Sequence, residues 1–305
     1  MGYKAGFLGL IGQPNAGKSS LMNFLVDEKI SIVSAKPQTT RRRILGIWSS
    51  EAGQIVFVDA PGVIEADKGL NGFLAREAED VIADSDALLA VVSLDEEKPE
   101  DAEKVINMVS KSGKPWIGII TKTDLAEKTH RLMILKKMIE EKNGKALAIS
   151  VNQLKADKSA VEDREALLIE CLEILPESPA PLYDIELFTN ENVREMVSEI
   201  IREKCFENLH QEVPYSLAIR ILKFDEEGDL PRIYAEVLVS KENHKAIVIG
   251  KEATTIKTVG IEARKEIEKL MGDKVFLDLK VNCKPNWFEN KKMMKELGYV
   301  TKSEE

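Results

Sequence analysis

Gly12-Gln13-Pro14-Asn15-Ala16-Gly17-Lys18-Ser19 decides how this chain is read. The stretch fills every fixed position of the pattern G-x-x-x-x-G-K-S. Its glycines let the backbone curl so that successive N–H groups point inward and cradle a polyphosphate. Lys18 stands where an ammonium reaches the β and γ phosphates, and the Ser19 hydroxyl where Mg²⁺ would be ligated. Upstream, Ala5 to Ile11 is a short apolar run, the pattern of a buried parallel strand. Downstream, Ser20 to Val26 reads as a helix whose positive N-terminus faces the phosphates. A chance glycine turn would not carry the Lys-Ser pair and both flanks together. Candidate phosphate contacts are Gly12, Asn15, Ala16, Gly17, Lys18, Ser19 and Ser20.

Further along, Ile55 to Gly62 is an apolar strand ending in Asp59-Ala60-Pro61-Gly62. Asp59 at the strand tip is placed to hold Mg²⁺ through water, and the Gly62 amide to sense a γ-phosphate. D-x-P-G alone is also ordinary turn chemistry. It gains its meaning by following a phosphate loop at the distance of one βαβ unit. Between the two lies Ser34-Ala35-Lys36-Pro37-Gln38-Thr39-Thr40-Arg41. One threonine of the pair, taken as Thr40, is suited to close over Mg²⁺ and the γ-phosphate, which makes the segment an order–disorder element. The metal set is then Ser19, Thr40 and Asp59, and the catalytic set Lys18, Thr40 and Asn15.

A third apolar run, Pro115 to Ile120, leads into Thr121-Lys122-Thr123-Asp124. The Asp124 carboxylate can accept two hydrogen bonds from guanine, a donor pair adenine lacks, while the Lys122 stem covers the base face. The usual pattern is N-K-x-D, so Thr121 keeps a hydroxyl and loses the amide that normally ties this loop to the phosphate loop. The T-K-x-D form resembles that of the signal-recognition-particle GTPases, so guanine selectivity is expected to survive. Ala148-Ile149-Ser150 loosely resembles a loop whose backbone meets guanine O6; Ser150 is a candidate contact without an assigned side-chain role.

Strands expected at Tyr3–Ile11, Ile44–Ser49, Gln54–Asp59, Ala87–Ser93, Pro115–Thr121 and Ala146–Ser150 alternate with helical stretches such as Ala102–Lys111, Thr129–Lys142 and Ala160–Leu172. Alternation of this kind is the pattern of an α/β fold with a doubly wound, mostly parallel sheet. The length of 305 residues suits two domains, and 44% hydrophobic with 31% charged residues describes a soluble globular chain. The first strand begins almost at Met1, so a cytoplasmic location is expected. Cys171, Cys205 and Cys283 are widely separated and read as incidental thiols, and the scattered His130, His210 and His244 suggest no zinc site. Net charge is −9, yet Lys241 to Lys295 holds 13 Lys/Arg against 8 Asp/Glu, so a patch favouring phosphate backbones is available near the C-terminus.

Three prolines between Leu175 and Pro181 mark a stiff linker, giving residues 1–175 as a nucleotide-binding domain, 176–190 as linker and 191–300 as a second domain. That second domain begins with a helix over Asn192–Leu209, followed by strands Tyr215–Phe224 and Arg232–Ser240 around the turn Asp225–Asp229. Ala246 to Lys257 resembles the V-I-G-x-x-G-x-x-I-K core of a KH domain, whose G-x-x-G loop clamps about four nucleotides of single-stranded RNA. A helix Thr254–Met271, a strand Val275–Val281 and a closing helix near Pro285–Leu297 complete the α-β-β-α-α-β order of the type II KH fold. Candidate RNA contacts are Gly250, Lys251, Glu252, Ala253, Ile256 and Lys257. Ala253 replaces the clamp's second glycine, and its methyl is expected to crowd the backbone approach.

The whole chain resembles the bacterial Era GTPase family. The resemblance is carried by P-N-A-G-K-S-S-L, P-Q-T-T-R, D-A-P-G, S-E-I-I-R-E-K at 198–204, V-P-Y-S at 213–216, I-K-T-V-G-I-E-A-R-K at 256–265 and L-G-Y at 297–299. It implies a GTP-hydrolysing switch with GTP/GDP and Mg²⁺ as ligands. The implied partners are small-subunit rRNA near its 3′ end and the small ribosomal subunit, with peripheral contact at the inner face of the cell membrane. A monomer is expected. Val63 stands where Ras-like GTPases use glutamine to place water, so slow intrinsic hydrolysis is expected. Asn15 with the T-T-R segment resembles a potassium-activated branch in which K⁺ is held by the asparagine and by carbonyls, here around Ser34 to Lys36. The bound triphosphate is expected to reposition the KH domain so that it takes RNA. A metabolic P-loop kinase and a nucleotide-stabilised protein-binding scaffold are the competing readings.

Overall fold

Strand β1 (Lys4–Gly12) lies at the centre of a six-stranded sheet of order β2-β3-β1-β4-β5-β6. Its companions are β2 (Ile44–Ser49), β3 (Gly53–Asp59), β4 (Ala87–Ser93), β5 (Trp116–Thr121) and β6 (Lys145–Ala148). All neighbours are parallel except β2, which runs antiparallel to β3. This is a computed structural model, and it describes residues 2–34, 36, 39–63, 68–95, 98–125, 129–152, 160–226 and 230–299. Every residue of β3 and β4 is buried, because helices cover both faces of a parallel sheet. The pleat divides β4 between two cores. Leu89 and Val91 pack with Leu21, Met22 and Cys171, while Leu88, Ala90 and Val92 pack with Val105, Ile106 and Ile139. The covering helices are α1 (Lys18–Val26), α2 (Gly69–Asp84), α3 (Pro99–Ser110), α4 (Thr129–Glu140) and α5 (Ala160–Glu173). Strand order reverses beside β1, which places a crevice at its carboxyl end.

Two expected boundaries shift for reasons visible in the bonding. Helix α1 begins at Lys18 rather than Ser20, directly on the turn made by Gly17. Strand β6 stops at Ala148 rather than Ser150, although the Ile149 amide still donates to the Ile120 carbonyl at 2.8 Å. The Pro-rich stretch is clasped to the sheet. The Ala5 amide donates to the Pro176 carbonyl (3.2 Å) and the Ile47 amide to the Phe188 carbonyl (2.8 Å). Gln54, fully buried on β3, accepts from the Leu182 and Tyr183 amides and donates to the Tyr183 carbonyl.

The chain divides into two compact units, Met1–Ala66 with Leu74–Asn190, and Asp67–Phe73 with Glu191–Glu305. The second contains α6 (Val193–Asn208), β7 (Leu217–Asp225), β8 (Arg232–Val239), α7 (Glu242–Ile249), α8 (Thr254–Met271), β9 (Phe276–Cys283) and α9 (Lys291–Glu296). Helix α6 starts on a capping box in which Asn192 and Glu195 each satisfy the other's backbone amide. The three strands lie in the order β7-β8-β9, with β7/β8 antiparallel and β8/β9 parallel. Val197, Ile201, Val237, Val248, Val259 and Ile267 fill one core between sheet and helices. The closing helix expected over Pro285–Leu297 is broken. A short 3-10 turn at Trp287–Glu289 precedes α9, because Asn290 is extended and caps the Met293 amide instead. Of the expected turn at 225–229, residues 227–229 lie outside the described residues.

Burial pushes the Cys171 and Cys205 thiols up to about 12, so both are inert at neutral pH.

Candidate nucleotide site and nucleic-acid loop

The phosphate loop needs its glycines for different reasons. A side chain on Gly12 would lie 2.3 Å from the Val91 carbonyl oxygen, a clash with backbone. Gly17 instead sits in the left-handed region (φ 90°) and turns the chain into α1. Asn15 also takes a positive φ of 64°. Lys18 is 5% exposed, and its ammonium donates to the Gly12 and Gln13 carbonyls at 3.0 Å each. Gly62 packs so closely on the loop that a Cβ would come within 2.6 Å of the Pro14 nitrogen. The next amide, Val63, donates to the Gly12 carbonyl at 3.0 Å. The D-A-P-G turn and the phosphate loop are therefore in direct contact. They open onto a cleft of about 580 Å³ lined by Asn15, Lys18, Ser19, Thr40, Gly62 and Lys122 among others; Ala16, Gly17 and Ser20 line it too.

Asp59 joins the parts. It is fully buried, and its Oδ2 accepts from Ser19 Oγ (2.5 Å), Ser31 Oγ (2.9 Å) and Thr40 Oγ1 (3.3 Å). The Ser19 and Thr40 hydroxyls are themselves 3.0 Å apart. Oδ1 is buried without a hydrogen-bond partner among the described residues. Burial raises the Asp59 pKa, against the lowering by the Lys18 ammonium and by the hydroxyls of Ser19, Ser31 and Thr40. Of the three residues expected as a metal set, Ser19 and Thr40 thus converge on the carboxylate of the third, Asp59. Ala35, Pro37 and Gln38 of the expected switch lie outside the described residues.

At the base end, the Thr121 hydroxyl donates to the Ala16 carbonyl at 2.6 Å and approaches the Val92 carbonyl at 3.3 Å. The tie to the phosphate loop that the missing asparagine amide would make is thus supplied by a hydroxyl, across 105 residues of sequence. Lys122 has φ 58°, and its ammonium is held by Asp95 at 2.8 and 3.1 Å. Ser93 Oγ donates to the same Asp95 carboxylate at 2.5 Å. Ser150 Oγ donates to Asp124 Oδ1 at 2.6 Å, a side-chain role that the loose S-A-x match did not reveal. Asp95, Ser31 and Ser93 carried no motif signal at all.

In the second unit the loop between α7 and α8 has Gly250 at φ 74°, ψ 170°, where a Cβ would meet Thr255 Oγ1 at 2.3 Å. Glu252 (φ 53°, ψ 30°) and Ala253 (φ 58°, ψ 27°) both take the left-handed conformation. Alanine at 253 therefore also carries a cost in the backbone itself, beside the methyl it adds to the loop. Lys251, Glu252 and Lys257 are exposed, and Lys257 Nζ donates to the Glu252 carbonyl at 3.4 Å. Ile256, expected among the RNA contacts, is partly buried and packs against the core.

A doubly wound sheet carrying a phosphate loop, followed in the chain by a three-stranded α-β-β-α-α-β unit, defines a P-loop GTPase joined to a KH domain. The family descriptions that match are "50S ribosome-binding GTPase" over residues 7–122 and "KH domain" over residues 212–288. GTPase Era of Syntrophus aciditrophicus is 38% identical across 97% of this chain and 95% of its own. GTPase Era of Geobacter metallireducens is 36% identical across 98% of both chains. The chain belongs to the Era GTPase family, binds GTP and GDP, and hydrolyses GTP. Two solved Era structures superpose over 98% of the chain at 31% identity. One is a point variant of Aquifex aeolicus Era bound to GDP and AlF4⁻ (TM-score 0.88). The other is Era in complex with MgGDPNP and nucleotides 1506–1542 of 16S ribosomal RNA (TM-score 0.89).

Proposed function

We propose that this chain is a GTP-controlled factor that binds small-subunit rRNA near its 3′ end and assists assembly of the small ribosomal subunit in the cytoplasm. The observation that carries the reading is the joint presence, in one chain, of the phosphate-loop cleft, with Asp59 buried beneath Ser19 and Thr40, and a glycine-led loop of KH type. The relative bound to a 16S rRNA fragment supports the choice of RNA. Residues 1–175 are taken as the GTP-binding domain, 176–190 as the link and 191–300 as the RNA-binding domain.

Mg²⁺ fits the residues present, because a buried carboxylate with an unpartnered oxygen and two converging hydroxyls is a hard-oxygen donor set. Ser19, Thr40 and Asp59 would hold the ion, Asp59 through water. Bound there, Mg²⁺ would neutralise charge developing on the β and γ phosphates. The residues divide the remaining work. Backbone amides from Asn15 to Ser20 receive the phosphate oxygens, and the Lys18 ammonium, now on two loop carbonyls, turns to them. Asp124, oriented by Ser150, accepts from guanine, and Lys122, held by Asp95, lays its stem along the base. Val63 offers no group to place water, so turnover is slow without an activator. Asn15 would take part in holding a K⁺ ion, and faster hydrolysis in potassium than in sodium buffer is the corresponding expectation.

Gly250, Lys251, Glu252, Ala253, Ile256 and Lys257 would form the contacts to single-stranded RNA. The test is to crosslink the chain to RNA in growing cells and sequence what is recovered. Enrichment at the 3′ end of small-subunit rRNA is expected; reads spread over unrelated transcripts would overturn the proposal.

A further inference from the structure

Arg43 lies outside every motif, yet it holds together two segments that both end at the Asp59 site. It stands three residues after Thr40 and immediately before β2, where Ile44 pairs with Asp59 across the strands. Its guanidinium reaches α2, the helix that follows the D-A-P-G turn. Nε donates to Glu77 Oε2 and Nη2 to Glu77 Oε1, both at 3.2 Å, so the carboxylate is gripped by two prongs. Nη1 donates to Asp84 Oδ2 at 3.0 Å and Nη2 to Asp80 Oδ2 at 3.4 Å. The Arg43 backbone amide also donates to Glu77 Oε2, at 3.4 Å. Residues 77, 80 and 84 recur at the spacing of a single helix face, and that face is turned to one arginine.

Exposed ion pairs hold little, and Asp80 and Asp84 are of that kind, with side chains 36% and 46% exposed. Glu77 differs. Its side chain is 4% exposed, and it fixes both the side chain and the main chain of Arg43. Anchoring the main chain at residue 43 limits where Thr40 can go, because only Arg41 and Arg42 intervene. The same anchor gives α2 a contact with the strand that pairs with Asp59.

We infer that Glu77 and Arg43 are positioning residues for the triphosphate state. Through this two-pronged pair, α2 holds the segment that carries Thr40 in reach of Ser19 and Asp59. A ligand that engages Thr40 is thereby favoured over one that does not. The inference rests on the proposed reading of Thr40 as the residue that closes on Mg²⁺ and the γ-phosphate. Neither residue lines the cleft, so the effect is on discrimination between ligands rather than on chemistry.

The test is stopped-flow release of a fluorescent non-hydrolysable GTP analogue and of fluorescent GDP, with Mg²⁺ present throughout. It uses the full chain and the variants Glu77→Gln, Arg43→Lys, their double combination and Thr40→Ala. Loss of a charge-assisted fork is expected to speed release of the GTP analogue on the order of tenfold in each single variant. Release of GDP should change by under about twofold, and the double variant should be no faster than either single one. Equal acceleration of both nucleotides would mean that the pair only stiffens the fold, and would overturn the inference. So would unchanged release, or additive effects in the double variant. Thr40→Ala separates the two possible failures. If it speeds release of the analogue while Glu77→Gln does not, the anchor alone is wrong; if it has no effect, the reading of Thr40 falls and takes the anchor with it. Arg43→Lys keeps the charge and removes the fork, so it carries the test by itself should Glu77→Gln not fold.

Discussion

The phosphate loop and the loop between α7 and α8 solve one structural problem with different residues. Each begins at a glycine that has no room for a side chain: Gly12 against the Val91 carbonyl and Gly250 against the Thr255 hydroxyl, both at 2.3 Å. Each ends at a left-handed residue on which a helix starts. In the first loop that residue is Gly17 at φ 90°, and in the second it is Ala253 at φ 58°. The first loop is relaxed at both ends, whereas the second carries an alanine in a conformation that costs an L-residue about 1–2 kcal/mol. The opening glycine is thus fixed by sterics in both, and the closing one by backbone preference, which a small side chain can override at a cost.

The largest expected effect falls on the relaxed loop. Lys18→Ala removes the ammonium that sits over the Gly12 and Gln13 carbonyls, and GTP affinity should fall by roughly a hundredfold or more in calorimetry. RNA binding by nucleotide-free protein should be unaffected, since the KH loop has its own core. Next, Gly250→Ala introduces a side chain where φ 74°, ψ 170° is nearly exclusive to glycine. It should cost about 1–3 kcal/mol in urea unfolding of the second unit and weaken RNA binding while leaving GTP binding intact. A loss of GTP binding in that variant would mean the two loops are not independent.

Thr121→Val keeps the shape of the threonine and removes its hydroxyl, leaving the Ala16 carbonyl without that donor. An effect of about 1 kcal/mol is expected, seen as several-fold faster nucleotide release and an unfolding midpoint lowered by a few degrees. Ala253→Gly should have the smallest effect and the opposite sign. Relief of the left-handed alanine is partly offset by the greater freedom of glycine in the unfolded chain, so the gain should be about 0.5–1 kcal/mol, read as a midpoint a few degrees higher. Unchanged or lowered stability would show that the loop is not strained at this position.

How much of this was legible in the sequence follows from how far apart the interacting residues lie. The phosphate loop, D-A-P-G and T-K-T-D are contiguous, so each declared itself, and the strands Ile44–Ser49 and Ala87–Ser93 lie where their apolar runs predict. The pairs that orient these motifs are not contiguous. Thr121 meets Ala16 across 105 residues, and Arg43 meets Glu77 across 34. Asp95 holds Lys122 across 27 residues, and no periodicity marks an aspartate in a turn as a partner for a lysine just past the end of the next strand. Gln54 was equally silent, because a glutamine inside an apolar strand reads as an interruption until the Leu182 and Tyr183 amides are seen on it. Ala253 was visible as a departure from the glycine pattern, but the nature of its cost required the backbone angles.

The most direct measurement is the affinity of the chain for an oligonucleotide matching the 3′ end of small-subunit rRNA, taken in Mg²⁺ with a non-hydrolysable GTP analogue and again with GDP. Binding on the order of tenfold tighter with the analogue is predicted, the usual scale of coupling between two sites. Equal affinity in the two states would contradict it.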